Sequence, residues 1–342
     1  MAAAGKLGLV ARRMGQAVPA IIGIVIVTFL LTRALPGDPA VYFAGPAADA
    51  NSIAEIRKKL GLDRSLPEQF LVYLGQLVRG DLGQSISTGQ PVINELMGRL
   101  PASLELTLAA LLLSASIAIP LGILAATRPD TWVDHLCRFV TTAGVSLPTF
   151  FTGILLVYVF YFLLGWAPAP MGRLNVVLLS PPHVTGFYTI DSLLAGDGQT
   201  FRGAVGQLVL PAITLGLFTL APLARMTRGS MLQVLGSDFV RTARAAGLSG
   251  RKVLFTYAFR NALLPVITTL GMVFSFTLGA NVLVEKVFAW PGVGSYAIEA
   301  LVVSDYAAVQ GFVLAMALLF VALNLVIDVA YTLIDPRVGI ES

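Results

Sequence analysis

The sequence predicts an all-α polytopic membrane protein with six transmembrane helices, and four observations carry that prediction. Of 342 residues, 56% are hydrophobic and only 12% charged, too little polar material to cover a soluble globule of this length. Apolar runs long enough to cross a hydrocarbon core of about 30 Å recur along the chain. Within 104–126 the run is uniformly apolar rather than alternating, which favours helices over a barrel, because lipid offers backbone groups no hydrogen-bond partner. Finally, basic residues gather beside the short connections on one side of the predicted membrane.

Taken in order, the N-terminal tail 1–14 carries Lys6, Arg12 and Arg13 and leads into a first transmembrane helix over 15–35. Residues 36–102 are too long for an ordinary connection and too polar to insert, so they read as an extracytoplasmic subdomain. Inside it, Ile53, Ile56 and Leu60 oppose Glu55, Arg57, Lys58 and Lys59, and Phe70, Leu74 and Leu77 repeat the pattern after Pro67, which predicts two short amphipathic helices. Residues 103–333 form a five-helix core with spans at 104–126, 139–165, 207–224, 262–284 and 309–333, followed by a tail at 334–342. Arg128 and Arg138 between the second and third spans, and the loop 225–261, place both termini in the cytoplasm. The connection 166–205 opens on Trp166-Ala-Pro-Ala-Pro170, contains Pro181-Pro182 and reads as largely irregular and external. Trp132, Trp166 and Trp290 fall at predicted span ends, as interfacial anchors do. Pro120, Pro148, Pro211 and Pro222 interrupt spans, where neighbouring helices commonly satisfy the freed carbonyls.

No nucleotide-binding glycine loop, paired-histidine or paired-cysteine metal motif, or nucleophile elbow occurs, so the chain itself is assigned no catalysis, metal or cofactor. Cys137 has a packing role, and the predicted topology separates His135 from His183. The excess of basic residues serves topology and contact with anionic membrane lipid rather than nucleic acid.

The most informative stretch is 225–260, with seven Lys/Arg and one acid, Asp238, between two apolar runs. Within it, Ser237 or Asp238 opens a short helix. Phe239, Val240, Ala243 and Ala246 form one side, Arg241 and Arg244 another, and Gly247 suits the left-handed position after the last turn. Ser249 then signals a second start. Such a segment fits a rigid docking knob for a soluble partner, and its spacing fits equally well a solvated basic loop that sets topology.

Val240-Arg-Thr-Ala-Arg-Ala-Ala-Gly-Leu-Ser249 followed by Arg260-Asn-Ala-Leu-Leu-Pro265 resembles the cytoplasmic loop of the inner-membrane permeases of dipeptide, oligopeptide and nickel ABC importers. Leu35-Pro-Gly-Asp-Pro39, Leu60-Gly-Leu-Asp63, Arg79-Gly-Asp-Leu-Gly83, Arg99-Leu-Pro-Ala-Ser-Leu-Glu105, Val287-Phe-Ala-Trp-Pro-Gly-Val-Gly294 and Asp335-Pro-Arg337 extend the resemblance over nearly the whole chain. It implies a type I importer permease in a bacterial inner membrane. Its partners would be a second permease chain, two ATP-binding subunits that hold ATP and Mg, and an extracytoplasmic solute-binding protein. By the same resemblance Arg241, Thr242, Ala243, Arg244, Gly247 and Leu248 belong to the element that couples to the ATPase. Arg241-Thr-Ala243 departs from the Glu-Ala-Ala common among ABC importers. The implied cargo is a di- or oligopeptide, with nickel chelates, glutathione or oligosaccharides as alternatives.

Five polar residues within or beside the spans are candidates for the translocation path, because intramembrane polar groups often mark function. Glu105 is read at the N-terminus of the second span, where a carboxylate is electrostatically favoured. Asn281 and Glu285 share a face at the outer end of the fifth span, where Glu285 either meets the amino end of a peptide or pairs locally. Asn324 and Asp328 share a face of the sixth, read as helix-to-helix hydrogen bonding with Arg225 as a candidate partner. So little fixed charge suits a larger solute better than a bare divalent ion, which needs several ligands. A carrier driven by an ion gradient is the rival from another class, and it predicts an internal repeat and mid-depth acids that are not evident.

Overall fold

A computed structural model describes residues 2–34, 38–45 and 48–334. The side chains of Lys6, Arg12, Arg13 and Asp328, residues 35–37 of the Leu35–Pro39 motif, and the Asp335-Pro-Arg337 motif with its tail lie outside the described residues. The chain divides into two units, one of residues 1–100 and 292–325, the other of residues 101–291 and 326–342.

The first unit contains α1 (Ala2–Ala34), α2 (Pro39–Ala44), α3 (Ala50–Lys59) and α4 (Leu66–Val78), and the first part of α5 (Val92–Thr127). The two amphipathic helices expected in the subdomain are α3 and α4. Asp49 caps α3 by accepting the Ser52 N–H at 3.0 Å, and Glu68 reaches back to the Ser65 N–H at 3.2 Å to open α4. Helix α4 packs Tyr73, Phe70, Leu74 and Leu77 against Val25 and Phe29 of α1, with Phe29 stacked on Tyr73.

In the second unit the elements are the rest of α5, α6 (Trp132–Val145), α7 (Thr149–Leu163), α8 (Tyr188–Leu194), α9 (Gly198–Leu235), α10 (Asp238–Ala245) and α11 (Gly250–Val287). Helices α12 (Val293–Val302) and α13 (Tyr306–Ile334) are the last among the described residues; α12 and the start of α13 belong to the first unit. Helix α9 is the centre of the second unit, packed by α6, α7, α8 and α11. At Gly122 of α5 a Cβ would sit 2.6 Å from Thr227 Cβ and 2.9 Å from the Ala224 carbonyl of α9, so only glycine permits this approach of the two backbones.

Several spans differ in extent from the apolar runs that predict them. Among the described residues four helices are long and apolar enough to cross a membrane, α5, α9, α11 and α13. The run at 139–165 is not one continuous helix: α6 and α7 form a pair bent sharply around Pro148, whose missing N–H and restriction of Leu147 break the ladder. Pro120, Pro211 and Pro222 instead remain inside helices. Helix α9 starts ahead of the apolar run because Asp197 accepts the N–H groups of Gln199 and Thr200, both at 3.0 Å. It also continues through Arg225 to Leu235, so much of the basic loop is helical rather than open. Hydropathy marks the apolar part of a helix and not the polar turns that extend it. In the 166–205 connection, 164–187 is irregular as expected, and α8 follows.

Trp290 departs from the anchor reading. It is 1% exposed and donates Nε1–H to the Ala102 carbonyl at 2.9 Å, whereas Trp132 and Trp166 are exposed. An indole with its N–H satisfied inside the core has no need of an interface.

Candidate functional site

The connection between α9 and α11 is built tightly. Ser237 Oγ donates to the Val234 carbonyl at 2.6 Å at the end of α9, and the extended backbone of Ser237 starts α10. At the other end Gly247 has φ +76°; its N–H bonds to the Arg244 carbonyl at 3.0 Å and the Leu248 N–H to the Ala243 carbonyl at 3.3 Å. Those two bonds are the Schellman closure, and they consume carbonyls that a helix end otherwise leaves open. Ser249 then leads into α11, whose first turns over Val253–Phe259 are widened to i→i+5 spacing. The second start signal therefore opens a long helix and not another short one.

Packing divides the surface of α10 differently from the sequence pattern. Val240 and Ala243 are buried against Val253, with Val234, Leu235, Leu248 and Tyr257 around them. Phe239 and Ala246, expected on that same side, are exposed, as are Arg241, Thr242, Arg244 and Gly247. At about 100° per residue, 239 and 246 fall together on the Ala243 side of the stripe, about 100–120° from Val240, and so stay at its open edge once the stripe is covered. Ala243 and Leu248 thus fasten the element to the chain, and the exposed set is what a partner can touch. A bulky side chain at 243 would disrupt this internal packing and would not report on a groove wall. Arg241 lies 3.2 Å from Asp238, but both are largely exposed, so the pair contributes little.

The candidate path residues fall elsewhere. Glu105 is not at a helix N-terminus, because α5 begins at Val92, three turns earlier. It is 6% exposed and meets Arg173 at 2.5 Å, while Thr189 donates both its N–H (2.8 Å) and its Oγ1–H (2.6 Å) to the other carboxylate oxygen. Arg173 also donates to the Gly186 carbonyl at 2.6 Å and lies 3.6 Å from the Tyr188 ring centroid. Nearby, Asp191 accepts the Thr185 hydroxyl and N–H groups from Val184, Thr185 and Gly186. Burial pushes its carboxyl up, but these bonds outweigh burial and hold it below the usual carboxylate range. Together they fix the irregular 164–187 segment.

Glu285 and Asn281 are brought together, but inside the unit. Glu285 is 0% exposed and accepts from Ser103 Oγ at 2.5 Å; Asn281 is 1% exposed and donates to the Ser103 carbonyl and Thr107 Oγ1, both at 3.3 Å. Of the two readings of Glu285, the packing is that of a locally paired carboxylate. Asn324 is exposed and donates to the Phe320 carbonyl of its own helix at 2.9 Å, which is local bonding and not a bridge to another helix.

Sequence reasoning passed over Asp134. Its wholly buried carboxylate takes a two-pronged bond from Arg228, Nε at 2.6 Å and Nη2 at 2.7 Å, plus Arg138 at 3.0 Å and the Asp130 N–H at 3.1 Å, tying α6 to α9. An acid beside an apolar run in so charge-poor a chain was the available signal. Among the described residues no group of His, Cys, Asp and Glu is placed to hold a metal.

Comparison with known proteins agrees with this architecture. Residues 118–340 match the family described as binding-protein-dependent transport system inner membrane component, and residues 7–107 match its N-terminal companion. A probable D,D-dipeptide transport system permease protein, DdpB, of Escherichia coli K12 is 45% identical, with 93% of each chain covered. The di/tripeptide transport system permease protein DppB of Pseudomonas aeruginosa is 42% identical over 97% of this chain and 98% of its own. The dipeptide permease protein DppB of E. coli K12 is 38% identical, again over 97% and 98%. The chain accordingly belongs to the inner-membrane permease family of binding-protein-dependent transport systems, a multi-helix membrane subunit of an ABC importer.

Proposed function

We propose that this chain is one of two permease subunits of an importer for di- and oligopeptides, driven by ATP that other subunits hydrolyse. The observation that carries the cargo is the full-length similarity to permeases of di- and tripeptide transport systems. The low charge of the spans supports it, since a bare divalent cation needs a cluster of oxygen, nitrogen or sulfur ligands. In this reading α10 seats on an ATP-binding subunit through Phe239, Arg241, Thr242, Arg244 and Ala246. Motion of that subunit passes through the packed Val240–Ala243 face into α9 and α11. A solute-binding protein delivers cargo from outside, and six spans with both termini cytoplasmic complete the topology.

Transport by vesicles holding the assembled importer tests the cargo. Uptake of a labelled dipeptide is expected to require this chain, to fall when unlabelled di- to pentapeptides compete, and to ignore free metal ions. Uptake of a sugar or metal untouched by any peptide pool would end the peptide assignment while leaving the permease family intact. For orientation, cysteines replacing the exposed Ser249 and Ser65 are expected to label from the cytoplasm and from outside, respectively. Labelling of both from one face would overturn the six-span arrangement.

A further inference from the structure

The first unit contains a cavity of about 590 Å³ whose charges do not balance. Arg33, at the end of α1, lines it and is half-buried. Its Nε donates to Gln69 Oε1 at 3.0 Å, and its guanidinium lies 4.7 Å from the Phe29 ring centroid and 5.4 Å from that of Tyr306. Among the described residues it has no carboxylate partner. Lys59 and Arg64 line the same cavity, against Asp81 as its acid, and Asp81 is already taken up in part by the Gly83 N–H at 2.8 Å. The neutral part of the wall is rich in amides, among them Gln76, Gln84 and Gln310. A half-buried guanidinium without an acid is costly, and its planar fork matches the oxygens of a phosphate or carboxylate.

A second hollow, of about 530 Å³ and almost wholly apolar, runs beside it along α1 from Ala20 to Thr32, with Leu301, Val309 and Val313 opposite. At about 1.5 Å per residue its length is roughly 18 Å, comparable to half the thickness of a hydrocarbon core. Only a shared wall lies between the hollows. Thr32 borders the groove, Gln310 borders the cavity, and Gln310 Nε2 donates to Thr32 Oγ1 at 2.7 Å.

We propose that these adjoining hollows form a site for one anionic phospholipid, with its phosphate on Arg33, its headgroup toward Arg64 and Lys59, and an acyl chain in the groove. Arg33 ends the apolar stretch Val18–Arg33, the depth at which a headgroup meets hydrocarbon. A soluble phosphate or carboxylate accounts for the cations but leaves the groove unused; a neutral lipid accounts for the groove but not for the cations. One amphiphile with a negative head satisfies both.

The assembled importer in nanodiscs of equal phosphatidylglycerol and phosphatidylcholine, released into native mass spectrometry, reads the site directly. Phosphatidylglycerol is expected to be retained over phosphatidylcholine. Arg33→Gln is expected to lower its retention about five- to tenfold, with partial recovery in Arg33→Lys. Gly23→Leu is an independent probe, since a Cβ at Gly23 meets nothing within 4 Å and leucine favours the helix. Filling the groove in this way is expected to reduce retention without loss of assembly. Equal retention of both lipids, or wild-type retention in Arg33→Gln, overturns the proposal. So does displacement of the lipid by inorganic phosphate with no effect of Gly23→Leu, which assigns a free-anion site. Release of the second permease by Gly23→Leu with lipid retained gives the groove to a protein helix, and the proposal fails there too.

Discussion

Glu105→Ala is expected to lower the thermal stability of the purified importer more than Arg173→Ala does, and the two changes together are expected to cost less than their sum. Both charges are nearly inaccessible, at 6% and 7% exposure, so removing one leaves the other buried in a low-dielectric interior. Breaking such a pair typically costs about 3–5 kcal/mol. The asymmetry follows from what remains. Without Arg173, Glu105 still accepts two bonds from Thr189. Without Glu105, Arg173 keeps only the Gly186 carbonyl and the Tyr188 ring, and its Nε is already without a partner. The double change leaves no stranded charge, so a thermal-melt double-mutant cycle should return a coupling of about 1–3 kcal/mol. Strict additivity would show that the pair contributes nothing as a pair.

That ion pair also marks where the sequence stops being readable. The partners are 68 residues apart, and Asp134 and Arg228 are 94 apart, distances over which no periodicity or spacing signal operates. Glu105 stands at the start of the apolar run, where it reads as a helix-end charge, but the polar turns from Val92 to Leu100 belong to the same helix and place it in the interior. By contrast, α3 and α4 are legible from their amphipathic faces and from Pro67 in the first turn of α4, which are local properties. Gly247 was legible for the same reason. The exposed and buried sides of α10 were not, because a short helix can rest on its neighbours along more than one stripe, and the contacts of Val240 with Val253 decide which. Glu285 carries two readings in the sequence, an entrance group or a local pair, and the bond from Ser103, 182 residues away, is a local pair that no spacing signal announces.

Substitution of Gly247 is expected to uncouple ATP hydrolysis from transport in a graded order, Asn least, then Ala, then Val, with Pro abolishing coupled uptake. The grading comes from backbone conformation alone, since a Cβ at Gly247 would meet no atom within 4 Å. At φ +76° an L residue is strained by about 1–2 kcal/mol, least for Asn, which tolerates the left-handed region, and most for a β-branched side chain. Proline cannot adopt this φ at all and also removes the N–H that bonds the Arg244 carbonyl at 3.0 Å, so the turn into Ser249 and α11 is lost. Val240 and Ala243 continue to hold α10 on Val253, so the permease should still assemble. What changes is the angle at which the exposed Phe239, Arg241 and Arg244 meet an ATP-binding subunit. The number of peptides imported per ATP hydrolysed, measured in vesicles, is therefore the decisive quantity. If Gly247→Pro preserved the wild-type ratio, α10 would hold no coupling role, and the solvated basic loop would be the correct account of the segment.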